Sequence, residues 1–381
     1  MSRQGRPLIY LVAGEQSGDV LGARLVRAIR ARRDDVVFAG IGGQAMAAEG
    51  VQSLFPIGDL AVMGFLEVLP RIRRLKALLR QAIDDIAERR PDVLVTIDSP
   101  GFTLRVLGAL RDSGLKRVHY VAPQVWAWRE NRVKRYPGLW DELLCLLPFE
   151  PAFFARHGLR ARFVGHPVLE SGADRGDAAR FRARHGIPAG ARVLTVMPGS
   201  RHSEVSRLLP VLEQALRRLP GDLVPVVPLA GPVADTVRRH TLAWPVKPVL
   251  VASAEEKFDA FAASAGALTK SGTSTLELAV ARVPMVVTYR VNPLSYVIAK
   301  RLVKVRYASI LNLLLDRMVV PELIQHDATP ERLAEEVRRL LDDPAAVAAQ
   351  QAGFERALTM LRPLAGMPSD SAAEAVLGLL G

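Results

Sequence analysis

Short apolar runs alternate with longer segments of helical periodicity along this chain of 381 residues, and the alternation occurs twice. Buried strands of a parallel sheet form such continuous apolar runs, because helices cover both faces of the sheet. The first set comprises residues 8–13, 36–40, 93–97, 117–121 and 143–146, and the second comprises 193–197, 223–228, 249–251, 266–269 and 285–289. The pattern predicts an α/β protein of two Rossmann-like domains that face a central cleft, with ligands at the carboxyl ends of the strands.

A polar stretch rich in Gly and Arg, residues 171–192, separates the two sets, and amphipathic helical patterns fill the end of the chain. We therefore expect an N-terminal domain of residues 1–170 and a C-terminal domain of residues 171–345. Residues 346–381 are expected to form C-terminal helices that pack back on the N-terminal domain.

The charge of the chain requires an acidic partner, since 51 Lys and Arg residues outnumber 39 Asp and Glu residues and give a formal net charge of +12. A nucleic acid, an anionic membrane surface or a phosphorylated substrate would complement it. The single cysteine, Cys145, cannot form an internal disulfide, and its leucine neighbours favour a buried strand over a catalytic thiol. The apolar run at 8–13 is too short for a secretory signal, and we expect no spanning helix and a cytoplasmic location.

Two segments combine basic and apolar residues. In residues 62–80, apolar positions at helical spacing are interleaved with Arg71, Arg73, Arg74, Lys76 and Arg80. A helix of this kind lies on anionic lipid, and residues 297–307 support the same interpretation. Neither segment carries a nucleic-acid motif, so we expect no nucleic acid as a partner. The alternative is an ordinary packed helix with a basic face in solvent.

Polar residues follow two strands of the first set. Residues 14–19 lie between the first strand and the first helix, where Glu15 and Ser17 suit the hydroxyls of a sugar better than a pyrophosphate. Asp98 ends the strand at 93–97 and is placed to accept a proton from a hydroxyl nucleophile, with Glu15 as the other candidate. The alternatives are a capped turn without function at 14–19 and a helix cap at Asp98.

The loop at residues 119–129 contains two tryptophans, whose faces stack on sugars or line apolar grooves, although one of the two is expected in the core. We take Gln124 and Trp126 as candidates for binding an acceptor. The seven histidines lack the paired spacing of a zinc site, so we expect no metal.

The second set of strands is followed by loops suited to phosphate. Arg201, after Gly199 and Ser200, presents a guanidinium that matches a diphosphate. A second loop offers hydroxyls and free amides ahead of a helix, through Lys270, Ser271, Gly272, Thr273 and Ser274. Glu277 is placed to receive a ribose diol, or else it is an acid that favours the helix dipole.

These segments in this order resemble the lipid-A-disaccharide synthase family of inverting glycosyltransferases. The similar segments are residues 13–19, 40–43, 60–64, 97–100, 119–129, 147–150, 163–167, 198–201, 270–273 and 320–323. The resemblance implies the GT-B fold, UDP held mainly by the C-terminal domain and the acceptor held by the N-terminal one. The resemblance also implies that Asn312 binds UDP, together with the residues of the two phosphate loops.

The resemblance further implies that 2,3-diacylglucosamine passes from its UDP derivative to 2,3-diacylglucosamine 1-phosphate. The products would be the β-1,6-linked lipid A disaccharide 1-phosphate and UDP, with no cofactor, at the cytoplasmic face of the inner membrane. A homodimer is left open.

This chain departs from the family pattern after Asp98, where Gly101, Phe102 and Thr103 replace an acidic residue and an asparagine. Asn312 lies between Leu311 and Leu313 instead of between a proline and a small turn. The alternatives are another UDP-sugar enzyme of the same fold, such as an epimerase or a transferase with a different acceptor, and a basic membrane-binding protein without catalysis.

Overall fold

The computed structural model describes residues 5–60, 65–292, 296 and 302–380. The chain divides into two compact units, of which the first comprises Met1–Pro167 and Leu361–Gly381 and the second comprises Val168–Met360. Each unit contains, in its described part, a sheet of six parallel strands. This architecture confirms the predicted α/β class with two Rossmann-like sheets.

The first sheet has the strand order β2-β1-β3-β4-β5-β6. Its strands are β1 (Leu8–Ala13), β2 (Val37–Ile41), β3 (Val93–Ile97), β4 (Lys116–Tyr120), β5 (Glu142–Cys145) and β6 (Ala161–Phe163). Ala13 pairs with Ile97 and Ile97 pairs with Tyr120, so β1, β3 and β4 end side by side. The loops after these three strands therefore start at one edge of the sheet.

Seven helices of the described residues belong to this unit: α1 (Gln16–Arg30), α2 (Gln44–Ala48), α3 (Phe65–Arg89), α4 (Pro100–Ala109), α5 (Val125–Trp128), α6 (Glu150–Ala155) and, at the end of the chain, Pro368–Leu377. Alternate residues of β1 enter two different buried clusters, because successive side chains of a strand point to opposite faces. Tyr10 packs on the face covered by α3 and α4, and Leu11 packs on the face covered by α1 and the last helix.

The second sheet has the strand order β12-β11-β10-β7-β8-β9. Its strands are β7 (Arg192–Met197), β8 (Leu223–Pro228), β9 (Val249–Val251), β10 (Ser264–Lys270), β11 (Met285–Tyr289) and β12 (Glu322–Ile324). Its described helices are α7 (Ala178–His185), α8 (His202–Leu216), α9 (Ala234–Thr241), α10 (Ala254–Ala263), α11 (Ser274–Val280), α12 (Ile310–Leu315), α13 (Pro330–Asp342) and α14 (Pro344–Met360). Leu194 and Val193 enter the clusters on opposite faces of this sheet.

The first unit boundary lies between Pro167 and Val168, close to the expected one, whereas the second lies between Met360 and Leu361 instead of at residue 345. The polar stretch 171–192 contains α7, which belongs to the second unit and buries Phe181 against its sheet. At the end of the chain, α14 also belongs to the second unit, where it contacts α11, α12 and α13. Within the first unit, the helix Pro368–Leu377, which we call α15, packs on α1 through Ala372, Ala373 and Val376.

The predicted membrane-binding segments are described only in part. Residues 61–64 and 297–301 lie outside the described residues, and side chains of α3 are described from Arg73 onward. In that part of α3, Leu78, Ala82 and Ile86 form a buried stripe. The apolar side of this part of the helix packs in the core, while Arg73, Lys76 and Arg80 are exposed. This arrangement is that of the alternative interpretation, a packed helix with a basic face in solvent. Beyond the gap, Leu302 is 45% exposed and Val303 is 42% exposed.

Among the described helices, none has both the length and the apolar composition needed to cross a bilayer.

Candidate active site

The loops after β1 and β3 contact each other at the carboxyl edge of the first sheet. Gly14 lies against Ser99 so closely that a Cβ atom at residue 14 would overlap the Ser99 side chain. Asp98 and Ser99 both have left-handed backbone conformations, with φ angles of 51° and 46°. Non-glycine residues in this region carry strain of about 1–3 kcal/mol each, and such strain concentrates at functional sites. The Asp98 backbone N–H is fixed by the Tyr120 carbonyl at 2.8 Å.

The carboxyl group of Asp98 is half-buried at this edge. Burial raises the pKa of Asp98, and a hydrogen bond from the Ser99 backbone N–H partly opposes the shift. The helix that follows begins at Pro100 with Ser99 as its N-cap, so Asp98 is not the capping residue. A carboxylate with a raised pKa is a stronger base than an exposed aspartate, which fits the role predicted for Asp98.

Thr103 lies in the first turn of α4, where its hydroxyl donates to the carbonyl of Asp98 at 2.6 Å and lies 3.0 Å from the carbonyl of Ser99. Thr103 therefore supplies contacts that hold the strained turn in place. Gly101 meets no heavy atom within 4 Å of where its Cβ would be.

The segment after β1 contains one exposed acid, Glu15, and one buried acid, Asp19. Glu15 and Ser17 are exposed, and Glu15 is the N-cap of α1 without a side-chain cap hydrogen bond. Asp19 is buried and accepts hydrogen bonds from the backbone N–H groups of Gly43 at 2.7 Å and Met46 at 3.0 Å. Asp19 thus holds the turn that begins α2, whereas Glu15 and Ser17 are presented to solvent.

The tryptophan loop after β4 is anchored by a buried carboxylate. Trp126 donates its indole N–H to Glu150 at 3.0 Å and packs edge-to-face on Phe149 at a centroid distance of 4.9 Å. Burial raises the pKa of Glu150 to about 7. Gln124 is exposed, and Trp128 is 41% exposed with the Arg129 guanidinium carbon 3.8 Å from its ring centroid. The indole N–H of Trp126 is occupied, so any acceptor contact from it must come from its ring.

His119 and Cys145 lie in the core of the first unit. His119 is fully buried, stacks on Trp140 at 5.6 Å and has its Nδ1 2.8 Å from the Thr96 hydroxyl. Burial lowers the pKa of His119 to about 3. Burial raises the pKa of the Cys145 thiol, which excludes the reactive thiolate form at neutral pH. Among the described residues, no three His, Cys, Asp or Glu side chains are grouped as metal ligands.

In the second unit, Glu204 connects the predicted phosphate-binding loops. Its Oε2 accepts the Ser200 backbone N–H at 3.2 Å and lies 3.5 Å from the Lys270 ammonium. Its Oε1 lies 3.4 Å from Arg201 Nη1 and accepts the Tyr289 hydroxyl at 3.3 Å. Neither Glu204 nor Tyr289 is among the site residues predicted from the sequence. The signal available in the sequence was an acid in the first turn of α8, three residues after Arg201.

The loop after β10 is held from two sides. Ser271 donates its hydroxyl to the Ala308 carbonyl at 2.7 Å, and the Thr275 hydroxyl donates to the Gly272 carbonyl at 2.8 Å. Thr273 is the N-cap of α11, which begins at Ser274. These contacts fix the backbone that precedes α11, where free amides of a helix start attract anions.

Glu277 is in the first turn of α11, where both of its carboxylate oxygens lie 2.9 Å from the ammonium of Lys257. Lys257 also lies 4.8 Å from the ring centroid of Phe258. The carboxylate keeps acceptor capacity beyond this single ammonium, so the ion pair is compatible with the predicted contact to a ribose diol.

Asn312, predicted to bind UDP, lies in the buried interior of the second unit. Asn312 is fully buried and donates from Nδ2 to the Val320 carbonyl at 2.9 Å and to Glu322 at 2.7 Å. Its Oδ1 accepts the backbone N–H groups of Val319 at 2.7 Å and Val320 at 3.0 Å. The two donors and two acceptor positions of an amide are thereby filled. The side-chain amide of Asn312 orders the segment before β12, and its contact with UDP stays a prediction.

Comparison with solved structures defines the class of protein. A UDP-GlcNAc 2-epimerase from Neisseria meningitidis has a TM-score of 0.64 at 12% identity, over 98% of this chain and 99% of that one. The glycotransferase of kitacinnamycin also has a TM-score of 0.64, at 17% identity over 99% of this chain and 100% of that one. The fold is therefore GT-B, which nucleotide-sugar epimerases and glycosyltransferases share.

Sequence comparison gives the family. The family described as lipid-A-disaccharide synthetase matches residues 9–376. A lipid-A-disaccharide synthase from Gluconobacter oxydans is 56% identical, covering 100% of this chain and 92% of that protein. One from Granulibacter bethesdensis is 52% identical, covering 98% of this chain and 99% of that protein. The chain belongs to the lipid-A-disaccharide synthase family, which confirms the predicted resemblance and the assignment as a glycosyltransferase.

Proposed function

We propose that the chain transfers 2,3-diacylglucosamine from UDP-2,3-diacylglucosamine to 2,3-diacylglucosamine 1-phosphate. The products are the β-1,6-linked lipid A disaccharide 1-phosphate and UDP. Family membership over residues 9–376 supports the reaction. The observation that carries the mechanism is the half-buried Asp98 carboxylate, held by a strained backbone at the end of β3.

The acceptor 6-hydroxyl is a poor nucleophile until its proton is removed. In the proposed step, Asp98 accepts this proton while the 6-oxygen forms a bond to the anomeric carbon of the donor. The bond from that carbon to the diphosphate oxygen breaks, and its electron pair leaves with UDP. Attack from the face opposite UDP inverts the anomeric configuration. Glu15 and Ser17, exposed beside this turn, would bind hydroxyl groups of the acceptor sugar.

The diphosphate of UDP would be bound in the second unit. Arg201 and Lys270 supply the positive charge that a leaving diphosphate requires. The loop from Gly272 to Ser274 would add backbone N–H groups at the start of α11, and the Ser271 hydroxyl would lie beside them. Glu277 would accept hydrogen bonds from the ribose diol, with Lys257 holding its carboxylate.

Association with the inner membrane is part of the proposal because both substrates are acylated. Support comes from the net charge of +12 and from the exposed Leu302 and Val303 beside Lys304 and Arg306. Basic and apolar side chains together bind anionic lipid surfaces peripherally. We expect the chain to sediment with vesicles of anionic phospholipid and to be released by high salt or mild detergent. Binding that resists both treatments would contradict peripheral association.

The test of the reaction is product analysis. Purified chain is incubated with the two acylated glucosamine substrates, and the disaccharide 1-phosphate and UDP are measured by mass spectrometry. The proposal expects equimolar formation of both products. A parallel incubation with UDP-GlcNAc alone tests the epimerase alternative. Epimerised UDP-GlcNAc without disaccharide in the first incubation would overturn the proposal.

A further inference from the structure

Glu204 is a buried carboxylate among the groups proposed to bind the diphosphate. Its side chain is 4% exposed, whereas the Arg201 side chain beside it is 60% exposed. Burying an ionised carboxylate is unfavourable unless ion pairs and hydrogen bonds compensate it. Four donors surround Glu204, and each of them belongs to a loop or strand end at the carboxyl edge of the second sheet.

These donors come from three adjacent strands. Ser200 and Arg201 follow β7, Lys270 ends β10, and Tyr289 ends β11, and these strands are neighbours in the sheet. One carboxylate therefore fixes the relative positions of three strand ends. Among the described residues, Glu204 forms ion pairs with both Arg201 and Lys270. Without its negative charge, these two cations on adjacent loops would repel each other.

The loop after β7 is shaped to meet this carboxylate. Gly199 has a φ angle of 124°, a conformation that residues with side chains rarely adopt. A Cβ atom at Gly199 would lie 2.7 Å from Glu204 Oε2. The glycine thus permits the close approach that brings the Ser200 N–H onto Glu204.

We propose that Glu204 is a positioning residue that holds Lys270, Arg201 and the Tyr289 hydroxyl in the arrangement that binds a nucleoside diphosphate. The inference rests on the proposed function for the identity of the ligand. Glu204 does not touch the nucleotide. It acts through the cations, whose hydrogen bonds to a phosphate depend on where their nitrogen atoms are held.

The experiment measures UDP binding by calorimetry to the full chain and to Glu204→Gln, which keeps the shape of the side chain and removes its charge. Without the Glu204 charge, Arg201 and Lys270 are no longer held in place for charge-assisted hydrogen bonds to the diphosphate. We expect Glu204→Gln to bind UDP about 10- to 100-fold more weakly than the wild type. Glu213→Gln is the matched control, because Glu213 is also an ion-paired acid on α8 but contacts Arg217 and His240 instead of the strand ends. The control is expected to bind UDP like the wild type.

A double-mutant cycle separates positioning from a general effect on the fold. If Glu204 acts through Lys270, then Glu204→Gln weakens UDP binding much less in a Lys270→Met background than in the wild type. Thermal unfolding of each variant is recorded in parallel. Should Glu204→Gln not fold, Glu204→Asp, which keeps the charge and shortens the side chain, replaces it in the same cycle.

The outcomes are distinct. Unchanged UDP affinity in a folded Glu204 variant, or losses that are additive with Lys270→Met, would overturn the positioning role. A wild-type chain that does not bind UDP would instead overturn the proposed function, and the inference with it. Weakened binding in the Glu204 variant, coupling with Lys270 and an unaffected Glu213→Gln variant together are the expected result.

Discussion

Gly14 packs against Ser99 with no room for a side chain at residue 14. The contact joins the loops after β1 and β3, which carry Glu15, proposed to bind the acceptor sugar, and Asp98, proposed as the base. The position of Asp98 therefore depends on a glycine in another loop as well as on its own strained turn. A substitution at residue 14 that leaves the Asp98 carboxylate in place should therefore show whether the position of Asp98 depends on this contact.

Replacing Gly14 with alanine is predicted to reduce both stability and turnover. The added methyl group forces Ser99 to move, and overpacking of this kind destabilises by about 1–3 kcal/mol. Gly101→Ala is the control, because Gly101 lies in α4 and a Cβ atom there meets nothing within 4 Å. Denaturant unfolding and turnover are measured on both variants. Equal stability and equal turnover in the two would show that the Gly14–Ser99 contact does not position the site.

Arg201→Ala is predicted to weaken UDP binding by about 10- to 100-fold, since it removes a charge-assisted hydrogen bond to the diphosphate. Arg217→Ala is the matched control, because Arg201 is the N-cap of α8 whereas Arg217 is its C-cap and pairs with Glu213. Calorimetry with UDP measures both variants. Wild-type affinity in Arg201→Ala would remove Arg201 from the diphosphate site.

Asn312→Ala is predicted to destabilise the second unit by about 2–5 kcal/mol, because it leaves buried backbone and carboxylate groups without partners. Gln351→Ala serves for comparison, since the half-buried Gln351 donates a hydrogen bond from its amide to the Arg282 carbonyl. Thermal and denaturant unfolding supply the measurement. A fully stable Asn312→Ala variant with weakened UDP binding would contradict this structural role and favour the direct nucleotide contact that the sequence predicts.

Two buried histidines predict a loss of stability in acid. Burial lowers the pKa of His119 to about 3 and that of His166 to about 4. Below pH 6.5 the unfolded chain gains protons at these positions and the folded chain does not, so the free energy of unfolding falls as the pH falls from 6.5 towards 4.

The His119→Asn variant lacks this imidazole, so its unfolding between pH 6.5 and pH 4 takes up one proton fewer than unfolding of the wild type. The slope of the free energy of unfolding against pH should therefore decrease by about 1.4 kcal/mol per pH unit at most. The exposed His202 is the control, as His202→Asn should leave the slope unchanged. Denaturant unfolding at several pH values measures the slope. An unchanged slope in His119→Asn would mean that His119 is protonated in the folded chain.

The central strands β1, β3, β8 and β11 were predictable because each is mainly apolar and buried, and their observed bounds equal the predicted ones. The edge strand β9 was also predicted, because its three residues form a continuous apolar run. The edge strands β6 and β12 were not predicted, because each has only three residues and one of them is charged, Arg162 in β6 and Glu322 in β12. The helix α7 was assigned to a polar passage because its single buried residue, Phe181, gives almost no periodicity.

The loops of the site were predictable from their places after strands, but the contacts within them were not. Asp98 directly follows β3, as expected. The roles of Glu204 and Glu150 depend on partners far along the chain, Tyr289 for Glu204 and Trp126 for Glu150, which spacing alone does not reveal. The residue type alone does not show whether a carboxylate is buried or exposed.

Asp98 is the residue on which the proposed mechanism depends most directly. Asp98→Asn keeps the size of the side chain and removes its ability to take a proton, while Glu15→Gln makes the same change at the neighbouring loop. Turnover of the two acylated substrates and UDP affinity are measured on both folded variants. We predict that Asp98→Asn lowers turnover by about 10²- to 10⁴-fold with UDP binding retained. Near-normal turnover in Asp98→Asn, with Glu15→Gln inactive but folded and still binding UDP, would contradict the account and make Glu15 the base.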